Sequence, residues 1–452
     1  MKILLVRPDK IESHFHMEKS TARLGDLHQP LGLLYLATAL KNAGVEVSIS
    51  DEIVGDNSLD SFQKFSPEVV GITVTTPLFD RACQLVKEFK DKGARVILGG
   101  PHISSVPGES LNKSGADAVV IGEGEDTVIE LCKSKDWSKV PGLMFKDNGN
   151  QIKTEPRTLI QDLDTIPIPD RSFLELSKYS KDVEFGFPIE GDDILMRVFT
   201  SRGCPYLCTF CSTFNIFGRK VRFRSAGNIL EEIMYLSDKY MTRHIMFMDD
   251  TFTLKEDIVQ VLSEKFIEYK LDLRWACFAR VGLSPEILKA MRASGCKLIG
   301  FGVESGSEKV LKHVKKKTTP DQIEKTFSNT RKAGIDSKAF FIVGLPGEEK
   351  EDFEKSLTFA KKINPPFLWL SMFYPLPGTE AHDEMVKSGK LTNANKVSYF
   401  QSDDAELQRR HRKFLRNFYF RPGYLVNIFQ NFSLRRILYF AKMFKAYFHG
   451  VV

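Results

Sequence analysis

The chain has 452 residues, 42% of them hydrophobic and 27% charged, with a formal net charge of +6. A single core seldom grows past roughly 250–300 residues, so two or three domains are expected, and the mild charge singles out no partner. The opening "MKILLVRPDK" has too short an apolar run for a signal-peptide core. No run approaches the roughly 18 apolar residues of a membrane span. Seven cysteines, an odd and mostly scattered set, argue against a disulfide framework and for a reducing, cytoplasmic compartment.

In chain order, residues 2–6, 45–50, 69–74, 95–100 and 118–122 read as strands. Residues 31–44, 80–93 and 124–135 read as helices. The strands are short, continuous and rich in Val and Ile, as in a parallel sheet covered on both faces. The alternation predicts a doubly wound α/β domain over 1–140, with its ligand beyond the carboxyl ends of the strands. Those ends carry "TTP" (75–77), "GGPH" (99–102) and "GEGE" (122–125).

Residues 141–193, with the proline-rich "LDTIPIPD", read as a linker. A second βα series occupies 194–390. Its strands are 194–200, 244–250, 274–280, 297–305, 338–346 and 367–375. Helices are expected between them, for example over 284–295 and, from a Thr-Pro start to Gly334, over 319–334. Six such units in a row predict a partial, six-unit barrel rather than an eight-fold one. A helical C-terminal region is assigned to 391–452.

Cys204, Cys208 and Cys211 crowd into eight residues as C-x3-C-x2-C, in the loop after the first barrel strand. Barrel active sites are built there. Three thiolates can hold three irons of a 4Fe-4S cluster and leave the fourth open, as an open position separates catalytic from structural zinc. A zinc site would need a fourth ligand, and none lies close in sequence. This triplet resembles the signature of the radical SAM superfamily. The resemblance implies that the open iron chelates S-adenosylmethionine, that an electron from the cluster cleaves it, and that a deoxyadenosyl radical abstracts hydrogen from substrate. Phe210 fits the aromatic residue usual before the third cysteine.

The resemblance extends along the barrel. "MDDTFT" offers Asp249 or Asp250 for the methionine end of SAM, although a paired acid at a strand end can also cap the next helix. "GFGVESGS" offers Glu304, with Ser305 beside it, for the ribose hydroxyls; the alternative is a solvated strand-end glutamate. Arg280 suits the SAM carboxylate, or a structural salt bridge. Gly344 in "FIVGLPGE" would pack against adenine, or serve a tight turn. Cys277 and Cys296 read as core residues.

The first domain resembles the cobalamin-binding domain of the cobalamin-dependent radical SAM class in "PLGLLYLATAL", "VVGITVTT", "VILGGPHIS" and "VVIGEGE". The residues this implies at the corrin are Thr75, Thr76, Gly99, Gly100, His102, Gly122, Glu123 and Gly124. No D-x-H-x-x-G motif supplies an axial histidine, and hydrogen bonding within its loop is the blander reading of His102. A tRNA methylthiotransferase would need three further cysteines upstream, where only Cys83 and Cys132 stand, each within a helical pattern.

Residues 405–452 hold ten Lys or Arg and twelve Phe or Tyr. Helices packed across the open barrel are expected, with aromatic residues inward. A second reading lays the segment on an anionic membrane, and contact with nucleic acid ranks last. The resemblance implies cobalamin-carried methylation of an unactivated carbon, on a small-molecule or lipid substrate, with an electron donor such as flavodoxin or ferredoxin. Oxidative cyclisation or rearrangement, with or without cobalamin, is the alternative, and a non-enzymatic cofactor-binding protein is the alternative of another class.

Overall fold

The computed structural model describes residues 1–9, 28–179, 193–391 and 405–424. In the first domain β1 (Lys2–Arg7), β2 (Glu46–Asp51), β3 (Val69–Thr73), β4 (Arg95–Gly99) and β5 (Ala118–Val120) pair in parallel in the order β2-β1-β3-β4-β5. Alternate residues feed two cores. Leu4, Val6, Val70, Ile72, Val96 and Leu98 pack under helices 79–90 and 107–114. Ile3, Leu5, Val69, Ile97 and Val120 pack under helices 31–42 and 125–133. This two-sided burial is why the strands read as unbroken apolar runs. Strand order reverses between β1 and β3, the switch point at which folds of this order bind ligands.

The stretch expected to be linker begins as sheet. β6 (Leu143–Asp147) pairs antiparallel with β5, and β7 (Asn150–Lys153) pairs antiparallel with β6. Their turn, Asn148–Gly149, has φ of 48° and 83°, the paired positive values of a type I′ hairpin. Residues 154–179 then form a strap bonded to both domains. The Asp170 amide donates to Thr38 Oγ1 at 2.8 Å, and Tyr179 donates to Asp51 Oδ2 at 2.8 Å. The fully buried Arg171 donates to Glu232 Oε1 at 2.7 Å and to the Arg197 carbonyl at 2.8 Å. Such bonds hold a strap in place where a free linker would leave the domains to drift.

In the second domain β8 (Met196–Val198), β11 (His244–Phe247), β12 (Arg274–Ala279), β13 (Cys296–Glu304), β14 (Asp336–Val343) and β15 (Phe367–Met372) lie in parallel and in chain order. Parallel crossovers are right-handed as a rule, so strict chain order puts the crossover helices on one face of the sheet. The sheet curls away from them, and its inner face becomes the barrel interior. One continuous core joins strands and helices and contains Cys277 and Cys296, both buried. Helix 320–332 starts from a full capping box, in which Thr319 accepts from the Gln322 amide and Gln322 accepts from the Thr319 amide.

Helix 405–419 packs beside β15 and buries Phe414, Leu415, Phe418 and Tyr419. Tyr424, Tyr419 and His411 donate to the carbonyls of Pro366, Leu368 and Leu370 at 2.8, 2.7 and 3.0 Å. The described part of the C-terminal region therefore takes the packing role, and 425–452 lie outside the described residues. Among the described residues no helix is long and apolar enough to cross a membrane.

Candidate functional site

A two-stranded antiparallel ribbon, β9 (Ser201–Arg202) with β10 (Arg222–Phe223), closes the base of loop 203–221. This loop carries the three cysteines at the carboxyl end of the barrel sheet. All three thiols border one cleft of about 270 Å³, together with Phe210, Asp250, Phe278, Arg280, Gly300, Gly302, Glu304, Lys316 and Phe340. Burial raises the Cys204 and Cys211 thiols above the ordinary thiol range, so metal binding here would release protons. No fourth cysteine and no histidine among the described residues borders the cleft. Among the described residues no His, Cys, Asp and Glu side chains converge as a single-ion site requires. A four-iron cluster gives each thiolate its own iron and does not demand that convergence.

The period of two along the strands builds the cleft wall. Phe278 and Arg280 come from the end of β12, Gly300, Gly302 and Glu304 from β13, and Phe340 from β14. A Cβ at Gly300 would stand 2.8 Å from the Phe340 ring and 3.0 Å from the Phe278 ring. Its absence lets those rings meet edge-on, centroids 5.8 Å apart. A Cβ at Gly302 would stand 2.5 Å from Glu304 Oε1 and 2.7 Å from Lys316 Nζ. Glu304 itself has φ of 65°, and the β13–β14 register shifts between Gly302 and Glu304. A bulge of this kind re-aims a side chain at a strand end.

Glu304 is 7% exposed and accepts from Lys316 Nζ at 2.6 Å. Lys316 was not singled out from the sequence, because nothing in a basic run such as "KHVKKKTT" marks the one lysine that turns inward. Positive φ at both Lys315 and Lys317 brackets that turn. Arg280 sits over the Tyr206 ring at 3.6 Å, donates to the Lys316 carbonyl, and lies 3.8 Å from Cys208 Sγ.

Asp249, Ser305 and Gly344 fall outside the cleft wall. Asp249 is fully buried and accepts from Thr200 N, Thr200 Oγ1 and Ser201 Oγ at 3.0, 2.9 and 2.6 Å. It fixes the strand end from which the cysteine loop departs, while Asp250 at the mouth accepts from Thr213. Ser305 is buried against Ser356 Oγ at 2.9 Å, turned away from the cleft because it directly follows the bulged Glu304. Gly344 has φ of 81° and lies under Leu407 of the C-terminal helix, where a Cβ would come within 2.7 Å. That glycine makes room for helix packing.

In the first domain, Thr75 is exposed at the end of β3, beside the switch point. His102 is 8% exposed, packs on Phe79 with centroids 4.4 Å apart, and shares a 3.2 Å bond with Thr76 Oγ1. Burial pushes it down to about 4, which favours the neutral ring, and it lies in the short helix 101–105. Gly100 has φ of 104°, with the Val74 backbone 2.9 Å from where its Cβ would be. Gly99 ends β4, and Gly124 precedes helix 125–133 under Leu36. Gly122 faces the Ile216 carbonyl of the cysteine loop. Glu123 binds Arg202 and Arg222 of the ribbon at 3.0 and 2.8 Å, which turns it toward the second domain.

Two family models match in tandem: the B12 binding domain over 19–132 and the radical SAM superfamily over 198–360. A curated relative from Pyrococcus horikoshii, "Uncharacterized methyltransferase PH0819", is 33% identical, with 97% of each chain covered. This chain belongs to the cobalamin-dependent radical SAM family. Cytidylyl-2-hydroxyethylphosphonate methyltransferase of Streptomyces wedmorensis is 27% identical over 86% of this chain and 82% of its own. The solved radical SAM methyltransferase TsrM from Kitasatospora setae, with cobalamin and a [4Fe-4S] cluster bound, shares the fold at a TM-score of 0.68 and 20% identity, covering 86% of this chain and 75% of that one. The family's cofactors are a 4Fe-4S cluster, SAM and cobalamin, and the cleft suits the first two. Among the described residues it is bordered by three thiols with no fourth cysteine and no histidine, by carboxylates and cations, and by an aromatic pair.

Proposed function

We propose that this chain methylates an unactivated carbon of a small-molecule or lipid substrate, with cobalamin as methyl carrier. The observation that carries the reading is the single cleft that joins Cys204, Cys208 and Cys211 to Glu304, Arg280 and Lys316. It lies in a chain whose first domain packs onto the cysteine loop. Two relatives whose names say methyltransferase, each matched over most of its length, support the reaction type.

When bound, the cluster supplies the electron for SAM cleavage and cobalamin carries the methyl group. The three thiolates would hold the cluster. Arg280 and Lys316 would receive the SAM carboxylate, and Glu304 would accept from ribose hydroxyls by charge-assisted bonds. Asp250 at the mouth would take the amino group, and Phe278 and Phe340 give an apolar wall against which water is excluded. His102 stays tied to Thr76, and the strand-end segments of the first domain around Thr75, Gly99 and Gly122 would hold cobalamin. A one-electron donor such as flavodoxin or ferredoxin and a reducing, cytoplasmic setting complete the reading.

The test is anaerobic purification with cobalamin supplied, followed by turnover with methyl-labelled SAM and candidate substrates. Methyl transfer yields S-adenosylhomocysteine and 5′-deoxyadenosine together with labelled product. Deoxyadenosine alone, with unlabelled product, would overturn methylation in favour of cyclisation or rearrangement.

A further inference from the structure

The ribbon that closes the cysteine loop has an unusual pair at its base. Arg202 and Arg222 stand directly opposite each other across β9 and β10, and like charges in that position repel. Both are nearly buried, at 6% and 3% side-chain exposure. Among the described residues, their only ion-pair carboxylates come from the first domain. Glu123 accepts from Arg202 Nη1 at 3.0 Å through one oxygen and from Arg222 Nη1 at 2.8 Å through the other. Glu125 accepts from Arg202 Nη2 at 2.5 Å. The second Glu123 oxygen also takes the Ile160 amide of the strap at 2.9 Å.

The roots of the loop meet tightly at this ribbon. Gly203, at φ 102°, has no space for a side chain, because a Cβ would stand 2.7 Å from the Lys220 carbonyl. One residue later comes Cys204. Arg202 is further held between the rings of Tyr35, from the first domain, and Phe217, from the loop, at 5.3 and 5.4 Å. The loop's own helix touches the first domain again, where Asn215 donates to Ser105 Oγ at 2.9 Å.

A buried ion pair is weak evidence for stability, since apolar residues of similar size often do as well. Removing one partner is a different matter, because it leaves a buried charge uncompensated. The chain places that vulnerability at the root of the cysteine loop and puts the compensating charge in the other domain. We propose that Glu123 is a positioning residue for the cluster loop: by neutralising the opposed Arg202–Arg222 pair, the first domain sets the geometry in which the three thiols hold their cluster. This rests on the cluster reading above and assigns the "GEGE" acids to the loop rather than to the corrin.

The test uses the full chain, purified anaerobically with cobalamin. It compares wild type, Glu123→Gln, Glu123→Gln with Arg222→Met, and Asp51→Asn. The last breaks the buried Arg7–Asp51 pair inside the first domain. The readouts are iron and sulfide per chain, the EPR signal of the reduced cluster with and without SAM, bound cobalamin, and melting temperature. Glu123→Gln is expected to keep its cobalamin and lose more than half of the wild-type iron, with a weakened SAM-induced change in the EPR signal. The double variant, in which the opposed charge is gone, is expected to regain most of the iron. Asp51→Asn is expected to lower the melting temperature and leave iron and EPR unchanged. If Glu123→Gln does not accumulate, Glu123→Asp, whose shorter carboxylate cannot span both guanidinium groups, is read in the same way. Full iron with a wild-type EPR signal in the Glu123 variant would overturn the proposal, and so would equal iron loss in Asp51→Asn. Loss of cobalamin with iron retained would return Glu123 to the corrin. A wild-type chain that holds no iron would sink the cluster reading itself.

Discussion

Glu304 and Glu123 invite comparison. Both follow or end a parallel strand at its carboxyl end, both are at most 7% exposed, and both bind cations. Glu304 borders open volume, and its partner Lys316 borders the same cleft. Glu123 faces protein on every bonded side: its charged partners belong to the other domain, and the Ile160 amide belongs to the strap. Burial and ion pairing therefore do not by themselves mark a ligand site. The space beside the pair does. A cation facing a void can exchange its carboxylate for a ligand's, whereas one walled in by two domains cannot do so without moving them.

Four changes would break or sharpen that contrast. The largest effect is expected from Cys208→Ala, which should abolish 5′-deoxyadenosine formation and empty the cluster site, read by iron content and product chromatography. Glu304→Gln removes a charge-assisted contact of about 1.5–3 kcal/mol, so SAM binding should weaken by roughly 10–100-fold in calorimetry. An unchanged Kd would make the Glu304–Lys316 pair purely structural and end the distinction. Gly302→Ala places a methyl group 2.5 Å from Glu304 Oε1. The atoms it meets are the free ends of two side chains, so the methyl group is expected to displace the Glu304–Lys316 pair and weaken SAM binding less than Glu304→Gln does, with little change in melting temperature.

The smallest effect is expected on the other side of the comparison, with His102→Gln, whose bound cobalamin should keep the wild-type visible spectrum. A shifted spectrum would make His102 a cobalt ligand. His102 has a second, pH-dependent signature. Its folded value of about 4 lies below the unfolded value of about 6.5, so between those limits the unfolded chain binds more protons. Wild-type stability should therefore rise from pH 4 to about 6.5 and level off above. The glutamine variant should lack that share of the slope in chemical denaturation at each pH.

The sequence reading reached both domains and the cleft because those features have local signatures. Continuous apolar runs announce parallel strands, and the cysteine spacing announces the loop. The hairpin after β5 had an equally local signal in Asn148–Gly149, obscured by the polar, sparsely apolar strands around it. Arg202, Glu123 and Lys316 had no such signal. Each acquires its role from a partner 12 to 99 residues away, and a glutamate in "GEGE" looks the same whether it meets a corrin or an arginine. Gly300 and Gly302 lie between the two cases. Their alternation hints at something close to the backbone, but only the packing shows that the neighbours are an aromatic pair and an ion pair.

The bonds from His411, Tyr419 and Tyr424 to the carbonyls of Leu370, Leu368 and Pro366, along β15 and the residue before it, bear on the solution behaviour of the protein. An all-parallel sheet that stops at six strands leaves a row of backbone acceptors able to pair with a strand from another molecule. Side chains of the C-terminal helix, and Tyr424 beyond its end, occupy that row at Pro366, Leu368 and Leu370, and they recruit no further strand in doing so. Truncation before residue 405 would then uncover an adhesive border, and the shortened protein would be lost to self-association at concentrations where the full chain stays dispersed.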